Sequence, residues 1–331
     1  MNVLNKIETV APFPKLSEVL FERRESTFNS LAALPSNIDA IDAAVMFSAG
    51  LHPFVALVGP SGWGKTHLLK AVANRICMDV YVMPEPISVS EYLSNPPKGE
   101  SSGHLLLDDV QEAMGRSRLK MNLRMNLERR VRCGKPTLLA FTGPRPSRAI
   151  RTFLPMSREW KIVTLPAAEP VERVLLLHQM AAGEDLSLSP RLSKLIAEQM
   201  HGNGRTMSGA LKRLRLSGTN WLDSSSSLRA LGLLDPFFSD NGSWDLKLKI
   251  LRVAESAAPQ FSKVCVADLT LYTLLHEAGL SEVDVARVMG IEPSEAYLRA
   301  TRFRAEIQTS ESSRAAMRQF IELVLESLTK D

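Results

Sequence analysis

The chain has little cysteine, no long apolar run and no internal repeat. Its three cysteines, Cys77, Cys133 and Cys265, are odd in number and far apart. They fit neither a disulfide framework nor the spacing of a zinc site, and they read as free thiols of a reducing compartment. The six histidines are scattered in the same way. No uninterrupted apolar run is long enough to span a bilayer. The opening stretch, MNVLNKIETVAPFPK, lacks the apolar core and cleavage site of a signal peptide. The expectation from these absences is a cytoplasmic protein without a membrane span.

What is present is ordinary for a globular chain: 331 residues, 45% hydrophobic and 23% charged. That length exceeds one small core and predicts two or three domains. The net charge of +4 is compatible with a nucleic-acid partner, but many enzymes share such a balance. Its distribution says more. Between Arg116 and Lys135 stand eight basic residues and a single acid, Glu128.

Residues 1–50 form a lead segment with scattered apolar positions. From Phe54 to about Leu165, short apolar runs alternate with amphipathic segments, with strands expected at Phe54–Val58, Val80–Met83, Gly103–Leu107, Thr137–Thr142 and Lys161–Leu165. Helical patterns between most of them argue a parallel sheet covered on both faces, an αβα module over 51–166. Leu119, Met121, Leu123, Met125 and Leu127 alternate like a strand, while Leu119, Leu123, Leu127 and Val131 also fit a helical stripe. The near absence of β-branched residues favours helix. Residues 167–225 read as all-helical. The run DSSSS at 223–227, followed by LLDPFFSDNGS, predicts a soft connection over 226–244, and an all-helical domain follows over 245–331.

The chemistry-bearing stretch is FVALVGPSGWGKTHLLKAVANRI, where a predicted strand breaks into Gly59-Pro60-Ser61-Gly62-Trp63-Gly64-Lys65-Thr66 before a predicted helix. This matches the phosphate-loop pattern in full. Glycines let the backbone curl so that successive N–H groups point inward at phosphate oxygens, and the following helix adds its positive end. Lys65 is expected to reach the β- and γ-phosphates of ATP, with Thr66 ligating Mg²⁺ and His67 continuing the binding segment. A metal-holding acid is expected at the end of another buried strand. GHLLLDDVQ supplies Asp108 for Mg²⁺ and Asp109 to orient or deprotonate the attacking water.

GxxGxGKTHLLKAVAN followed by LLLDDVQ resembles the AAA+ ATPase domain of the bacterial replication initiator family, DnaA. Further matches follow in the family's order. LLAFTGPRP, 138–146, resembles the sensor I strand, and MSREWKIVTL, 156–165, resembles the segment carrying the arginine finger. GNGRTMSGALKRL, 202–214, resembles the sensor II helix of the lid. The resemblance covers about 54–306. It implies Arg158 as a finger acting in a neighbouring subunit's site and Arg205 as a sensor of the γ-phosphate. At sensor I the chain has Gly143-Pro144 where the initiators have an acid, which leaves Thr142 as the polar candidate. The implied activity is a weak hydrolysis of ATP to ADP and phosphate. The short span from Asn74 to Asp108 is closer to the regulatory Hda branch of the family.

LSEVDVARVMGIEPSEAYLRATRFRAEI has helix-turn-helix spacing and is similar to the DNA-binding domain that ends initiators. Arg299, Arg302 and Arg304 on its second helix are the candidate contacts to double-stranded DNA. Glu292 and Glu295 would face phosphate unfavourably at that helix's start. The expected function is therefore a DnaA-like ATP-binding protein that binds DNA, assembles into an ATP-dependent oligomer, and initiates or regulates chromosomal replication. Its partners would include the replication initiator, a helicase or the sliding clamp. The alternatives are an Hda-like regulator without DNA binding, a nucleotide-gated scaffold without turnover, and a helicase-loader or transposition ATPase whose 116–135 segment grips single-stranded DNA.

Overall fold

The computed structural model describes residues 26–79, 85–94, 103–200, 202–218, 220–238 and 245–329. The chain divides into two compact units, the first ending at Pro166 and the second beginning at Ala167. No helix among the described residues is long and apolar enough to cross a membrane.

Among the described residues, the first unit is built on five parallel strands: β1 Phe54–Gly59, β2 Ile87–Ser88, β3 Leu105–Asp108, β4 Thr137–Thr142 and β5 Lys161–Thr164. Their order across the sheet is β2-β3-β4-β1-β5. Successive side chains of a strand point to opposite faces, and here both faces are apolar. Phe54, Ala56, Val58, Leu107 and Phe141 join one core, while Val55, Leu57, Leu106 and Ala140 join the other. The helices Ile38–Ser48 and Lys65–Asp79 cover the second face, and the helix Ser117–Arg132 covers the first. That last helix resolves the ambiguity in its sequence. Leu123, Leu127 and Val131 are buried, whereas Met121 and Met125 are exposed, as the helical stripe requires.

Arg130 of this helix is buried beneath the starts of β3 and β4. Its Nε donates to Thr137 Oγ1 at 2.9 Å, and its Nη2 donates to the carbonyls of Gly103 and Pro136 at 2.8 and 2.9 Å. Burial lowers its pKa, although Tyr92 and Cys133 act the other way. The expected strand Val80–Met83 lies outside the described residues. Among the described residues, the edge of the sheet is formed by Ile87–Ser88.

The register places all the strand ends that matter on one rim. Gly59 stands opposite Thr142, Val58 opposite Thr164, and Asp108 opposite Ser88. In an open parallel sheet, ligands are held at this carboxyl edge, where strand order reverses.

Among the described residues, the second unit is helical, with one short pair of parallel strands, Ser187–Leu188 and Asn220–Trp221. Its helices are Pro170–Gly183, Pro190–Gln199, Gly204–Ser217, Ser224–Phe238, Leu246–Ala257, Val266–Tyr272, Glu282–Met289, Pro293–Thr309 and Glu311–Leu328. The soft connection expected over 226–244 is, as far as Phe238, a helix. Asp223 starts it, its Oδ1 accepting from Ser226 N at 2.7 Å, so the serine run is a helix start rather than a linker. Leu228, Ala230, Leu231, Leu234 and Phe238 are then buried.

One apolar cluster runs from Leu177 through these residues to Leu328, so the expected lid (167–225) and terminal domain (245–331) share a core. Gly232 marks the closest approach. A Cβ there would lie 1.8 Å from the carbonyl oxygen of Ala278, at the end of a π-helical turn over Thr273–Glu277. Arg191 reinforces the union through a 2.8 Å ion pair with Glu322, and Ser224 also bonds to Glu322.

Candidate functional site

The loop after β1 is shaped by its glycines. Gly59 is pressed against β5: a Cβ would lie 2.0 Å from the Leu165 carbonyl oxygen. Gly62 and Gly64 have φ of 80° and 96°, a conformation that side-chain-bearing residues rarely adopt. The chain thereby turns sharply into the helix Lys65–Asp79.

Lys65 is 5% exposed. Its ammonium lies inside the curve of the loop, donating to Gly59 O at 2.9 Å and to Pro60 O at 2.8 Å. An ammonium buried inside the loop can exchange neutral carbonyl acceptors for the oxygens of an anion, with which its hydrogen bonds are stronger. Ser61 is exposed, while Pro60, Gly62 and Trp63 are half-buried along the loop.

Next to it, Thr66 Oγ1 donates to Asp108 Oδ2 at 2.6 Å. The pair comes from the first turn of the helix and the end of β3, with β4 and β1 between and beside them. Two hard oxygen ligands in contact suit Mg²⁺, which takes few protein ligands and completes its shell with water and phosphate oxygens. Among the described residues, no cluster of three or more His, Cys, Asp or Glu side chains could hold a metal unaided.

Asp109 has φ of 50°, strained for a residue with a side chain. Its N–H donates to Asp108 Oδ1 at 2.9 Å. Its own Oδ1 accepts from Gln111 Nε2 at 2.9 Å, and Gln111 Oε1 accepts from the Thr142 N–H at 2.8 Å. Gln111 therefore ties the second acid to the end of β4. Reading the sequence leaves Gln111 without a role. The available signal is its place in DDVQ, two residues after Asp109. The Gly143 N–H donates to Gly59 O at 3.0 Å, so the expected sensor strand is also tied to the loop. The structure thus brings Lys65, Thr66, Asp108, Asp109 and Thr142 to one rim.

His67 turns elsewhere. Its Nε2 is 3.2 Å from Thr27 O and 3.0 Å from Ser30 Oγ, and Asn74 Nδ2 donates to Ser26 O at 2.8 Å. These bonds strap the segment before the first helix onto the loop's helix. Burial lowers the His67 pKa, the Thr27 carbonyl opposes the shift, and Lys70 adds to it.

Arg158 lies on the turn Ser157–Glu159, exposed and without a partner among the described residues. Beside it, buried Trp160 anchors the turn by donating to Pro155 O at 2.9 Å. Arg205 is also exposed, in the second unit, at the start of the helix Gly204–Ser217. Asn203 caps that helix, its Oδ1 accepting from Arg205 N at 3.0 Å and Thr206 N at 3.3 Å.

Of the three arginines expected to meet DNA, Arg302 and Arg304 are exposed, but Arg299 is engaged within the fold. Its Nε donates to Asp268 Oδ1 at 2.6 Å, with Glu295 at 3.7 Å. The bond to Asp268 raises its pKa. Arg304 lies close enough to Tyr272 to oppose a pKa that burial and Glu277 push up to about 12.

No family model matches the chain. The chromosomal replication initiator protein DnaA of Dechloromonas aromatica (strain RCB) is 26% identical over 210 residues, covering 57% of this chain and 44% of that relative. The chain thus spans less than half the length of that relative. Among solved structures, domain III of the Thermotoga maritima replication initiation protein DnaA superposes with a TM-score of 0.54 at 20% identity, over 65% of this chain and 98% of that one. A replication initiator DnaA bound to AMPPCP and single-stranded DNA superposes with a TM-score of 0.52 at 16% identity, over 91% of this chain and 98% of that one. The chain is similar in sequence to DnaA initiators, and its fold resembles that of the DnaA structures.

Proposed function

We propose that this chain binds ATP with Mg²⁺ at the rim of its sheet and initiates or regulates chromosome replication by ATP-dependent assembly on DNA. The observation that carries the reading is the joint placement of buried Lys65 in the loop's curve and the 2.6 Å contact between Thr66 and Asp108. The loop N–H groups and Lys65 would hold the phosphates, and Thr66 with Asp108 would hold Mg²⁺, which neutralises charge on the transferred group. Asp109, fixed by Gln111, would orient a water. Exposed Arg158 is free to enter a second copy's site, and Arg205 would report the nucleotide from the lid. Supporting parallels are the AMPPCP and single-stranded DNA bound by the DnaA neighbour.

A second reading, a regulator without duplex binding, is favoured by one observation. Arg299 is committed to Asp268, while Glu292 and Glu295 are exposed at the start of the same helix. Of the three arginines expected to meet a duplex, Arg302 and Arg304 remain exposed. Titrating full-length protein with duplex and single-stranded DNA, with ATP and with ADP, separates the readings. Initiator-like behaviour is ATP-dependent duplex binding that weakens steeply with salt. No duplex binding in either nucleotide state leaves the regulator.

A further inference from the structure

The exposed face of the helix Ser117–Arg132 takes no part in the rim chemistry, and its composition is unusual. At helical spacing, Arg118, Met121, Asn122, Met125, Arg129 and Arg132 share one stripe of about 100°. Met121 and Met125 are each 62% exposed. Arg118 and Arg129 have no partner among the described residues. The one acid of the helix, Glu128, is already bonded to Arg132 at 2.6 Å.

A second basic wall stands alongside. Arg124 donates to the carbonyls of Thr152 and Phe153, the latter at 3.1 Å, which holds the helix Arg148–Phe153 against this one. Arg145, Arg148 and Arg151 are exposed there, and no acid occurs between Gly143 and Met156.

We propose that this face docks an acidic amphipathic helix of another protein. The spacing carries the argument. Arg118 and Arg129 are about 16 Å apart at 1.5 Å per residue, and between them the stripe offers two methionines and an asparagine. An α-helix with apolar residues one turn apart and acids on either side fits this layout, apolar to Met121 and Met125, acids to the arginines. Methionine is suited to the task, because its unbranched thioether repacks against varied apolar side chains. A nucleic-acid strand fits less well. It carries a phosphate at every nucleotide, so phosphates would lie over the methionines, and the stripe has no aromatic ring on which a base could stack.

The test uses full-length protein and a synthetic helix of about 20 residues, with leucine on one face, glutamate on the other and a fluorescent label. A lysine-for-glutamate version and an oligothymidylate serve as comparisons. The acidic peptide should bind, the lysine peptide should not, and oligothymidylate should fail to displace the acidic peptide. Met121→Ser with Met125→Ser, and separately Arg118→Ala with Arg129→Ala, should each weaken binding by about tenfold or more. Only the arginine pair should reduce the salt dependence. All four side chains are exposed, so the thermal midpoint should not change. Arg118→Glu with Arg129→Glu should transfer preference to the lysine peptide, an exchange that loss of folding would not produce. The proposal is overturned if the acidic peptide fails to bind, if the two peptides bind equally, or if oligothymidylate displaces the peptide and its own binding ignores the methionines.

Discussion

The Thr66 hydroxyl donates to Asp108 at 2.6 Å across 42 positions of sequence, joining the first turn of one helix to the end of a strand that is not its neighbour in the sheet. Thr66→Val keeps the side chain's shape and removes the bond. If the pair holds metal, ATP affinity in Mg²⁺ should fall about 10- to 100-fold, while affinity in EDTA should change little. Calorimetry under both conditions measures the difference. An equal loss in the two buffers would assign Thr66 to the loop's shape and not to metal.

Gln111 should matter to turnover and not to binding. Gln111→Glu replaces the amide donor to Asp109 with a second carboxylate, leaving the acid mispositioned and repelled. The expected result is a fall in the hydrolysis rate of about 10- to 100-fold with ATP affinity within about twofold of wild type. Single-turnover hydrolysis at saturating ATP gives the number. A variant that hydrolyses normally would show that Asp109 needs no such support.

Arg158 and Arg205 separate by their partners. Arg158→Ala should bind ATP normally and lose the part of its hydrolysis that rises with protein concentration, since its guanidinium would act in a second copy. Mixing it with Lys65→Ala protein should restore some activity, because each supplies what the other lacks. Arg205→Ala should lose its preference between ATP and ADP. Turnover independent of concentration in the wild type would return Arg158 to the solvated surface.

His67 makes stability depend on pH. Burial depresses its pKa below the ordinary 6.5, so the folded state holds fewer protons than the unfolded one at acidic pH. Its contribution is intact above about pH 6.5 and is lost as pH falls through the depressed value. His67→Gln should lose less stability than wild type between about pH 7.5 and about pH 5.5. Urea midpoints at the two pH values make the comparison, and parallel losses in both proteins would rule out His67 as the source.

Gly232 tests whether the second unit is one body. Gly232→Ala forces a Cβ to within 1.8 Å of the Ala278 carbonyl, and backbone cannot swing aside as a side chain can. A destabilisation of about 3 kcal/mol is expected, at the upper end for overpacking. Hydrogen exchange should show protection falling together in Gly204–Ser217 and Pro293–Thr309. Loss confined to one of them would mean that the two unfold separately.

The first unit was largely legible in the sequence because its signals are local. β1 is a continuous apolar run, the loop's glycines mark their own backbone conformation, and Asp108 ends a leucine run. The helix Ser117–Arg132 was readable from propensity and from its Leu123, Leu127 and Val131 stripe. What local sequence leaves unread has a common physical cause. The serines at 224–227 look like a linker until Asp223 is seen to cap them, and the leucines behind them declare a helix only by what they pack against. Arg299 with Asp268, and Gln111 with Thr142, each span 31 positions, and nothing in either local segment announces the partner. His67 follows the phosphate-loop pattern in sequence, yet its ring is claimed by Thr27 and Ser30, 40 and 37 positions away.

The core that runs unbroken from Leu177 to Leu328 makes the helices on either side of Gly232 a single lever. A rotation of Gly204–Ser217 about its own attachment would carry Pro293–Thr309 with it, at an arm's length set by the packed helices between. Such a lever works in both directions. Where that body takes two positions and a ligand at each end prefers one of them, linkage requires the two affinities to shift by the same factor. A ligand on the far helices that prefers one position would then tighten or loosen the hold on whatever binds beside Arg205, without touching it.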